Sequence, residues 1–346
     1  MYRIPVRMQA ESAIIGAMAA ITIPILGEVP QLRPLNILRD LPGVADLIEK
    51  CFASTMDSEG RNYLQQMRRA GRDNSFLRWA SSAVETASMP LSGYVWEENG
   101  EILGNVSLIP HRHKHKKIYL IANVATHPDH RRRGIGRALT IAAIHNARAR
   151  HASETWLHVR DDNPGAIALY ANLGFQELAR RTTWQARPDR NIAPSTGNTM
   201  TRRHSRDWPE QKDWLQQMYP DLMGWYQPMP WMSLQPGFTA AFYRFLMDYN
   251  VRHWVTRMDG KPSAFLSWQA MAGQNDRLWA AIPPDGNERT LSALLLNARR
   301  ELFWRPGLTL DFPAGQFNVA IEAAGFNAYR TLLWMKLVPE DNVNQS

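Results

Sequence analysis

The chain has 346 residues, 45% hydrophobic and 21% charged, with 40 basic against 32 acidic side chains and a formal net charge of +8. That length supplies two domain cores, and that composition excludes an intrinsically disordered chain. The single cysteine, Cys51, excludes an internal disulfide framework and a multi-cysteine zinc site, and it places the chain in a reducing, cytoplasmic setting. The basic balance favours an anionic partner, whether a nucleotide-like cofactor, an acidic substrate, nucleic acid or an anionic surface, without choosing among them.

In chain order, residues 13–26 form an apolar run preceded by Arg3 and Arg7 and approached through Glu11. The run is too short to span a bilayer easily and no small-residue cleavage site follows, so 1–31 reads as an extension rather than a membrane or export signal. Residues 35–39 read as a first strand, with Asp40 as cap of a helix whose apolar face carries Val44, Leu47, Ile48 and Cys51. Residues 55–89 are polar with scattered aromatics and read as helical. A hairpin follows: 93–97, the turn Asn99-Gly100, then 102–109. After the basic segment 111–117 come a strand (119–126), a helix (137–150), a strand (155–160), a short helix (164–173) and a strand (175–185). Residues 187–199 are rich in polar and turn-forming residues and read as a linker.

The pattern then restarts. A short strand at 200–203 precedes a helix at 208–219 capped by Asp207, a Trp/Pro/Met-rich stretch at 224–236, and a second hairpin around Asp259-Gly260. A strand at 278–282 and a helix at 291–303 follow. Two stretches make the repeat explicit: 123–129 aligns with 279–285, and 169–175 with 320–326, each of the latter pair ending in Gly-Phe. The organisation expected is an extension (1–31), a first α/β unit (32–186), a linker (187–199), a second unit (200–339) and a tail (340–346).

The chemistry concentrates in the first unit. The strand ending Val124-Ala125-Thr126 runs through His127-Pro128-Asp129-His130 into Arg131-Arg132-Arg133-Gly134-Ile135-Gly136-Arg137, where a helix opens. Glycines without Cβ let backbone N–H groups approach a ligand, and the helix N-terminus aims its free N–H groups and positive dipole end at the same spot. Four arginines add charge, so a pyrophosphate is the natural occupant. The segment is neither a dinucleotide-binding Gly-x-Gly-x-x-Gly nor a Walker loop. The alternative is a basic, glycine-started helix with a solvated face.

A second segment narrows this: Asn163-Pro164-Gly165-Ala166-Ile167-Ala168-Leu169-Tyr170-Ala171-Asn172-Leu173-Gly174-Phe175. Together the two resemble the GCN5-related N-acetyltransferase (GNAT) superfamily. Its pyrophosphate loop, Arg/Gln-x-x-Gly-x-Gly/Ala, is matched by Arg131, Gly134 and Gly136. Its Asn-x-x-Ala-x-x-Leu-Tyr-x-x-x-Gly-Phe run is matched by Asn163, Ala166, Leu169, Tyr170, Gly174 and Phe175. The clear match covers about residues 32–185, and the second unit resembles the family only faintly.

The resemblance implies an α/β fold of two tandem GNAT-like domains, each a twisted mixed sheet flanked by helices. It implies acyl-CoA, most naturally acetyl-CoA, lying where the sheet splays, with Val124, Ala125 and Thr126 pairing to the pantetheine. The pyrophosphate would rest on the segment Arg131, Arg132, Arg133, Gly134, Ile135, Gly136 and Arg137. The implied reaction is direct transfer of the acetyl group to a primary amine, with no metal.

Below about 0.1% of a primary ammonium is the free amine at pH 7, so the acceptor must lose a proton and the leaving thiolate must gain one. Tyr170 stands where the family places the acid that supplies it; the alternative is a tyrosine that only packs on the cofactor. Asn163 reads as a polar contact to the cofactor, or as the cap of the helix at Pro164. The strand before Val124 reads Leu120-Ile121-Ala122-Asn123, with no carboxylate where many relatives carry a glutamate base. Asp161 and Asp162 read as turn residues, so no base is assigned.

His111, His113 and His115 alternate as metal ligands on one strand face would, but the interleaved Arg112 and Lys114 favour a solvated basic turn. The alternative is contact with an acidic acceptor or with the 3′-phosphate of coenzyme A. In the second unit, alignment puts Asn287, Thr290 and Ser292 at Arg131, Gly134 and Gly136, and Ile321 at Tyr170. The cradle and the acid are both missing there, so a degenerate copy is expected. The segment 225–231 reads as a loop clasping the second core, or as the lining of an acceptor groove. The partners expected are acetyl-CoA and an amine, small molecule or protein, with no specific nucleic acid and no membrane. A non-catalytic acyl-CoA sensor and a basic nucleic-acid-binding protein are the competing classes.

Overall fold

A computed structural model describes residues 27, 29–53, 56, 58–70, 92–193, 199–272 and 275–338. The apolar run at 13–26, most of the helical expectation over 55–89, part of the linker and the tail lie outside these residues.

The first unit begins with β1 (Leu32–Pro34) and α1 (Ile37–Phe52). The strand expected at 35–39 is therefore mostly helix. Asn36, not Asp40, caps α1, its side chain accepting from the N–H groups of Leu38 and Arg39. Asp40 is buried instead, and accepts from Arg33 at 2.6 and 3.0 Å and from the Asn36 N–H at 2.7 Å. Burial pushes its carboxyl upward, but the Arg33 and Asn36 bonds outweigh this and hold it below the ordinary carboxylate value. α2 (Ser58–Ala70) packs beside α1.

Next come β2 (Gly93–Glu98), β3 (Glu101–His113), β4 (Lys116–Thr126), α3 (Ile135–Ala149), β5 (Glu154–Arg160), α4 (Pro164–Ala171) and β6 (Phe175–Ala186). The second unit runs β7 (Thr199–Arg202), α5 (Trp208–Met218), α6 (Trp231–Leu234), α7 (Phe238–Leu246), β8 (Val251–Met258), β9 (Lys261–Gln269), β10 (Asp276–Ala281), α8 (Glu288–Glu301), β11 (Leu308–Pro313), α9 (Asn318–Ala323) and β12 (Asn327–Leu337). The two hairpins turn alike: Asn99-Gly100 and Asp259-Gly260 both adopt positive φ, as a two-residue primed turn requires. Gly174 (φ 88°) and Gly325 (φ 73°) close their helices the same way. Asp207 holds the N-cap position of α5 as expected, but its side chain caps no N–H of that helix; its carboxylate accepts from the His204 N–H and pairs with Arg257.

The twelve strands of the described residues form one mixed sheet in the order β1-β2-β3-β4-β5-β12-β6-β11-β10-β9-β8-β7. Each half is thus a mixed sheet with helices on its faces, and the halves exchange their last strands. β12 lies antiparallel between β5 and β6, and β6 lies antiparallel beside β11. α3 covers one face of the first half, burying Leu139, Ile141 and Ile144 against Leu108, Tyr119 and Leu157. α1 and α2 cover part of the other face, over Val95 and Ala125. Farther along that second face, Met223 and Trp225 of the second half pack on Leu120, Trp156 and Trp334. The segment 225–231 serves both halves: Met229 and Trp231 pack on the second core, as the sequence suggests, while Trp225 packs on the first. No described helix is long and apolar enough to cross a membrane.

Candidate active site

β4 and β5 are parallel but pair only from Ile118↔Glu154 to Ile121↔Leu157. Beyond that point they diverge, leaving the β4 end at residues 122–126 without a strand partner on that side among the described residues. On its other side β4 carries a bulge: the register with β3 slips between Asn105↔Ala125 and Ser107↔Ala122. Asn123 takes up the extra residue with φ 51°, a left-handed conformation asparagine tolerates better than most residues. Its amide donates to Tyr63 Oη at 3.2 Å and Ser107 Oγ at 3.4 Å, while Asn105 donates to its carbonyl at 3.0 Å. Burial pushes the Tyr63 phenol up to about 12, with the Asn123 bond pulling the other way. Cys51 donates to the Thr126 carbonyl at 3.2 Å, fixing the end of the strand.

The splay opens onto the start of α3. Gly134 is its N-cap at φ 82°, and among the described residues no side chain caps this helix end. The first-turn N–H groups therefore have no acceptor within the helix. Among the described residues a Cβ on Gly134 would meet nothing within 4 Å, whereas one on Gly136 would touch Thr126 Oγ1 at 3.5 Å and Leu169 at 3.7 Å. This arrangement fits a pyrophosphate: free donors, a positive dipole end and a gap beside them.

One cleft of about 1870 Å³ joins these features. Val124, Ala125, Thr126, Arg131, Arg132, Gly134, Ile135, Gly136, Arg137, Asn163 and Tyr170 all line it. Arg133 does not. It turns away to pair with Glu98 at 2.8 Å and to contact His130 at 2.6 Å, because a side chain one position from Arg132 leaves the turn in another direction. Asn163 does cap α4, accepting from the Ala166 N–H at 3.1 Å, and its side of the loop still borders the cleft. Tyr170 is buried edge-on to Phe175, with ring centroids 6.2 Å apart, and desolvation pushes its phenol well above the ordinary value. It is a phenol, not a phenolate, at neutral pH.

The cleft continues across the face of the exchanged strands. Directly opposed residues share a sheet face, so Arg330, Thr183 and Asp311 form one cross-strand row, and Gln185, Thr309, Arg277 and Gln269 a second. All seven line the cleft. They make a polar floor, with Asp311 tied to Arg181. Tyr226, Gln227 and Met229 to Ser233 form a wall that the second half contributes. The basic turn at 111–117 is docked rather than solvated throughout: His111 sits edge-on to Trp225 at 5.0 Å, and Lys114 pairs with Asp221 at 2.5 Å. Burial lowers the His111 pKa. Among the described residues no group of three or more His, Cys, Asp and Glu is placed to hold a metal ion.

Residues 51–175 match the Acetyltransferase (GNAT) family. The chain carries a GNAT domain. It is 42% identical over 74 residues to the [ribosomal protein bS18]-alanine N-acetyltransferase of Escherichia coli (strain K12), covering 21% of this chain and 45% of that protein. It is 36% identical over 115 residues to a mycothiol acetyltransferase of Saccharomonospora viridis, covering 33% of this chain and 36% of that protein. The chain thus spans less than half the length of these relatives. Across both halves the fold is similar to that of a GCN5-related N-acetyltransferase from Sphaerobacter thermophilus, with a TM-score of 0.53 and 14% identity over 92% of this chain and all of that one.

Outside the GNAT domain, the second half repeats the architecture but fills its opening. β10 and β11 pair only from Asp276↔Leu308 to Leu278↔Leu310, so they too diverge. Here the Tyr219 hydroxyl accepts the Ala280 N–H at 3.3 Å, and its ring packs edge-on to Trp279 at 5.1 Å. Arg181 stacks over the same ring at 4.9 Å. No bulge interrupts the β9–β10 register. α8 is capped by Asn287, whose side chain accepts the Arg289 N–H at 2.8 Å. The strand-to-helix connection is shorter than in the GNAT domain, spanning 282–287 against 127–134. Asn287, rather than Thr290, therefore stands at the N-cap that Gly134 occupies in the first half.

The floor residues escaped sequence reasoning, as did Tyr63 and His158. Tyr63 lay in a stretch with no clear periodicity. His158 was legible in principle, since Trp156, His158 and Arg160 alternate onto one face of β5.

Proposed function

We propose that the protein is an acyl-CoA-dependent N-acyltransferase that moves an acetyl group from acetyl-CoA to a primary amine. The observation that carries this reading is the single cleft joining the β4–β5 splay, the uncapped N-terminus of α3 and the polar floor between the halves. In this reading the α3 N-terminus, Arg131, Arg132 and Arg137 hold the pyrophosphate, and the backbone of Val124, Ala125 and Thr126 pairs with the pantetheine. The thioester then lies at the mouth of the splay, beside Tyr170. The amine approaches over the floor, between Tyr226 and Arg330. The amine nitrogen bonds to the carbonyl carbon, the carbon–sulfur bond breaks, and the sulfur takes a proton from Tyr170.

The raised pKa of Tyr170 shapes this role: the phenol keeps its proton until negative charge develops on sulfur, so donation belongs to the transition state. The lone cysteine agrees with a cytoplasmic setting. The test is titration with acetyl-CoA by calorimetry, followed by thiol release against a panel of amines that includes N-terminal peptides. Binding with release for at least one amine is expected. Binding without release for any of them contradicts the transferase and leaves an acyl-CoA sensor.

A further inference from the structure

The transferase reading leaves one proton without a destination. The β4 segment at the splay offers no carboxylate, and Asn123 is held by Tyr63 and Ser107. Among the described residues lining the cleft, the carboxylates are Asp162 and Asp311. Asp162 is committed to Arg160, at 2.7 to 3.2 Å, and Asp311 to Arg181. The one histidine among them is His158.

The position of His158 follows from register. Pairing of β4 with β5 ends at Leu157, so His158 is the first β5 residue beyond the fork. Opposite it on β12 stands Trp334, which turns its side chain toward the floor rather than toward α3. Its ring lies edge-on to Trp334 at 5.0 Å and to Tyr226 at 5.9 Å. Both partners come from beyond the GNAT domain. Nδ1 is buried and, among the described residues, has no hydrogen-bond partner, an arrangement that costs stability and calls for an explanation. Arg330 is the charged group nearest in influence; burial first, and Arg330 second, lower the imidazole pKa to about 4. At neutral pH the ring is uncharged, with one nitrogen free to accept a proton.

We infer that His158 is the proton acceptor for the incoming amine, an inference that rests on the transferase reading above. An imidazole so weakly basic does not strip a free ammonium. It takes the proton as the nitrogen–carbon bond forms, when the amine nitrogen becomes acidic. The nitrogen lone pair becomes the new bond to carbon, the N–H proton passes to the imidazole, and the carbon–sulfur electron pair leaves with sulfur. The imidazolium, disfavoured by its surroundings, returns its proton to water in the cleft, and Tyr170, left as a phenolate, regains one from that water. The second half, which has no cradle of its own, thereby contributes the walls that hold the base in place.

The experiment uses the full chain with acetyl-CoA and, in turn, lysine, glucosamine, spermidine and an alanine-initiated peptide. His158→Phe keeps an aromatic ring between Trp334 and Tyr226 and removes both nitrogens. Its kcat should fall ~10²-fold or more, with acetyl-CoA affinity within about twofold of the parent. His158→Ala should lose turnover likewise and regain part of it when free imidazole is added, a response that a packing role would not give. His158→Phe turning over within about threefold of the parent, where chemistry limits the rate, overturns the inference. So does an acetyl-CoA-binding His158→Ala protein that imidazole fails to rescue, which decides the matter even if the phenylalanine variant does not fold. A parent protein that binds acetyl-CoA yet releases no thiol with any of the four amines shows a different failure. There the transferase reading falls, and this inference with it.

Discussion

Two helix ends in this chain differ by one residue type and hence in what they can hold. α3 starts at Gly134, which offers no side chain, so its first-turn N–H groups stay open to a ligand. α8 starts at Asn287, whose carboxamide satisfies that end from within. The strand openings beside them repeat the contrast: the β4 end is bulged at Asn123 and unfilled, while at β10 Tyr219 occupies the equivalent gap and takes the Ala280 N–H. Closure of the second site therefore needs no collapse of the fold. A cap and a plug are enough, and the sheet that carries them still builds the cleft of the other half.

The sharpest way to break this comparison is to fill the open end. Gly134→Val puts a β-branched residue at φ 82°, where only glycine is at ease, and sets bulk against the position proposed for the pyrophosphate. Acetyl-CoA affinity by calorimetry should fall by ~100-fold or more. Removing the cap on the other side, Asn287→Gly, should leave that affinity unchanged and create no second site, because Tyr219 still fills the opening.

Next in size is Tyr170→Phe. If the phenol supplies the proton to sulfur, kcat drops by ~10²–10⁴-fold with little change in acetyl-CoA affinity. Weakened affinity with intact turnover at saturation would make Tyr170 an anchor instead.

Two buried histidines give a pH test that spans both halves. Burial lowers His158 to about 4 and, with Arg203 and Arg244 contributing, His253 to about 3. Because the folded values lie below the ordinary ~6.5, the unfolded chain binds the extra protons. The contribution is fully present above pH ~6.5 and is lost as pH falls toward the folded values, by up to about 1.4 kcal/mol per pH unit for each histidine. Urea unfolding between pH 7 and about 4 should show that slope, and His253→Gln should remove its share and leave that of His158. A stability that does not vary over this range would contradict the neutral burial of both rings.

The smallest effect concerns the plug itself. Tyr219→Phe leaves the Ala280 N–H without its acceptor and should cost about 1 kcal/mol in unfolding free energy, while acetyl-CoA affinity holds. A gain of a second acetyl-CoA equivalent in this variant would show that the hydroxyl's bond to the Ala280 N–H, not the cap, closes the site.

What the sequence disclosed was local. The turn chemistry of Asn99-Gly100 and Asp259-Gly260, the glycine-opened helix at Gly134, and the Gly-Phe pairs at 174–175 and 325–326 each depend on a few adjacent residues, and each is where the pattern put it. Asp40 misled because a buried ion-pair carboxylate and a helix cap look alike in sequence; only the fold shows that Arg33 claims it. The exchange of β6 and β12 was hidden for a different reason. Both alternate as strands should, but alternation does not name a partner, and pairing across some 150 residues is decided by the whole sheet. The same holds for Trp225 and Tyr226, whose wall against the first half could not be read from their own neighbourhood. For His158, the alternation of β5 was visible, but its orphaned Nδ1 and its place at the fork required the register.

The most direct measurement of the contrast between the halves is the stoichiometry of coenzyme A binding to the full chain by calorimetry. One molecule per chain, lost in Gly134→Val and retained in Asn287→Gly and Tyr219→Phe, is the result expected. Two molecules per chain, or one that survives Gly134→Val, would contradict it.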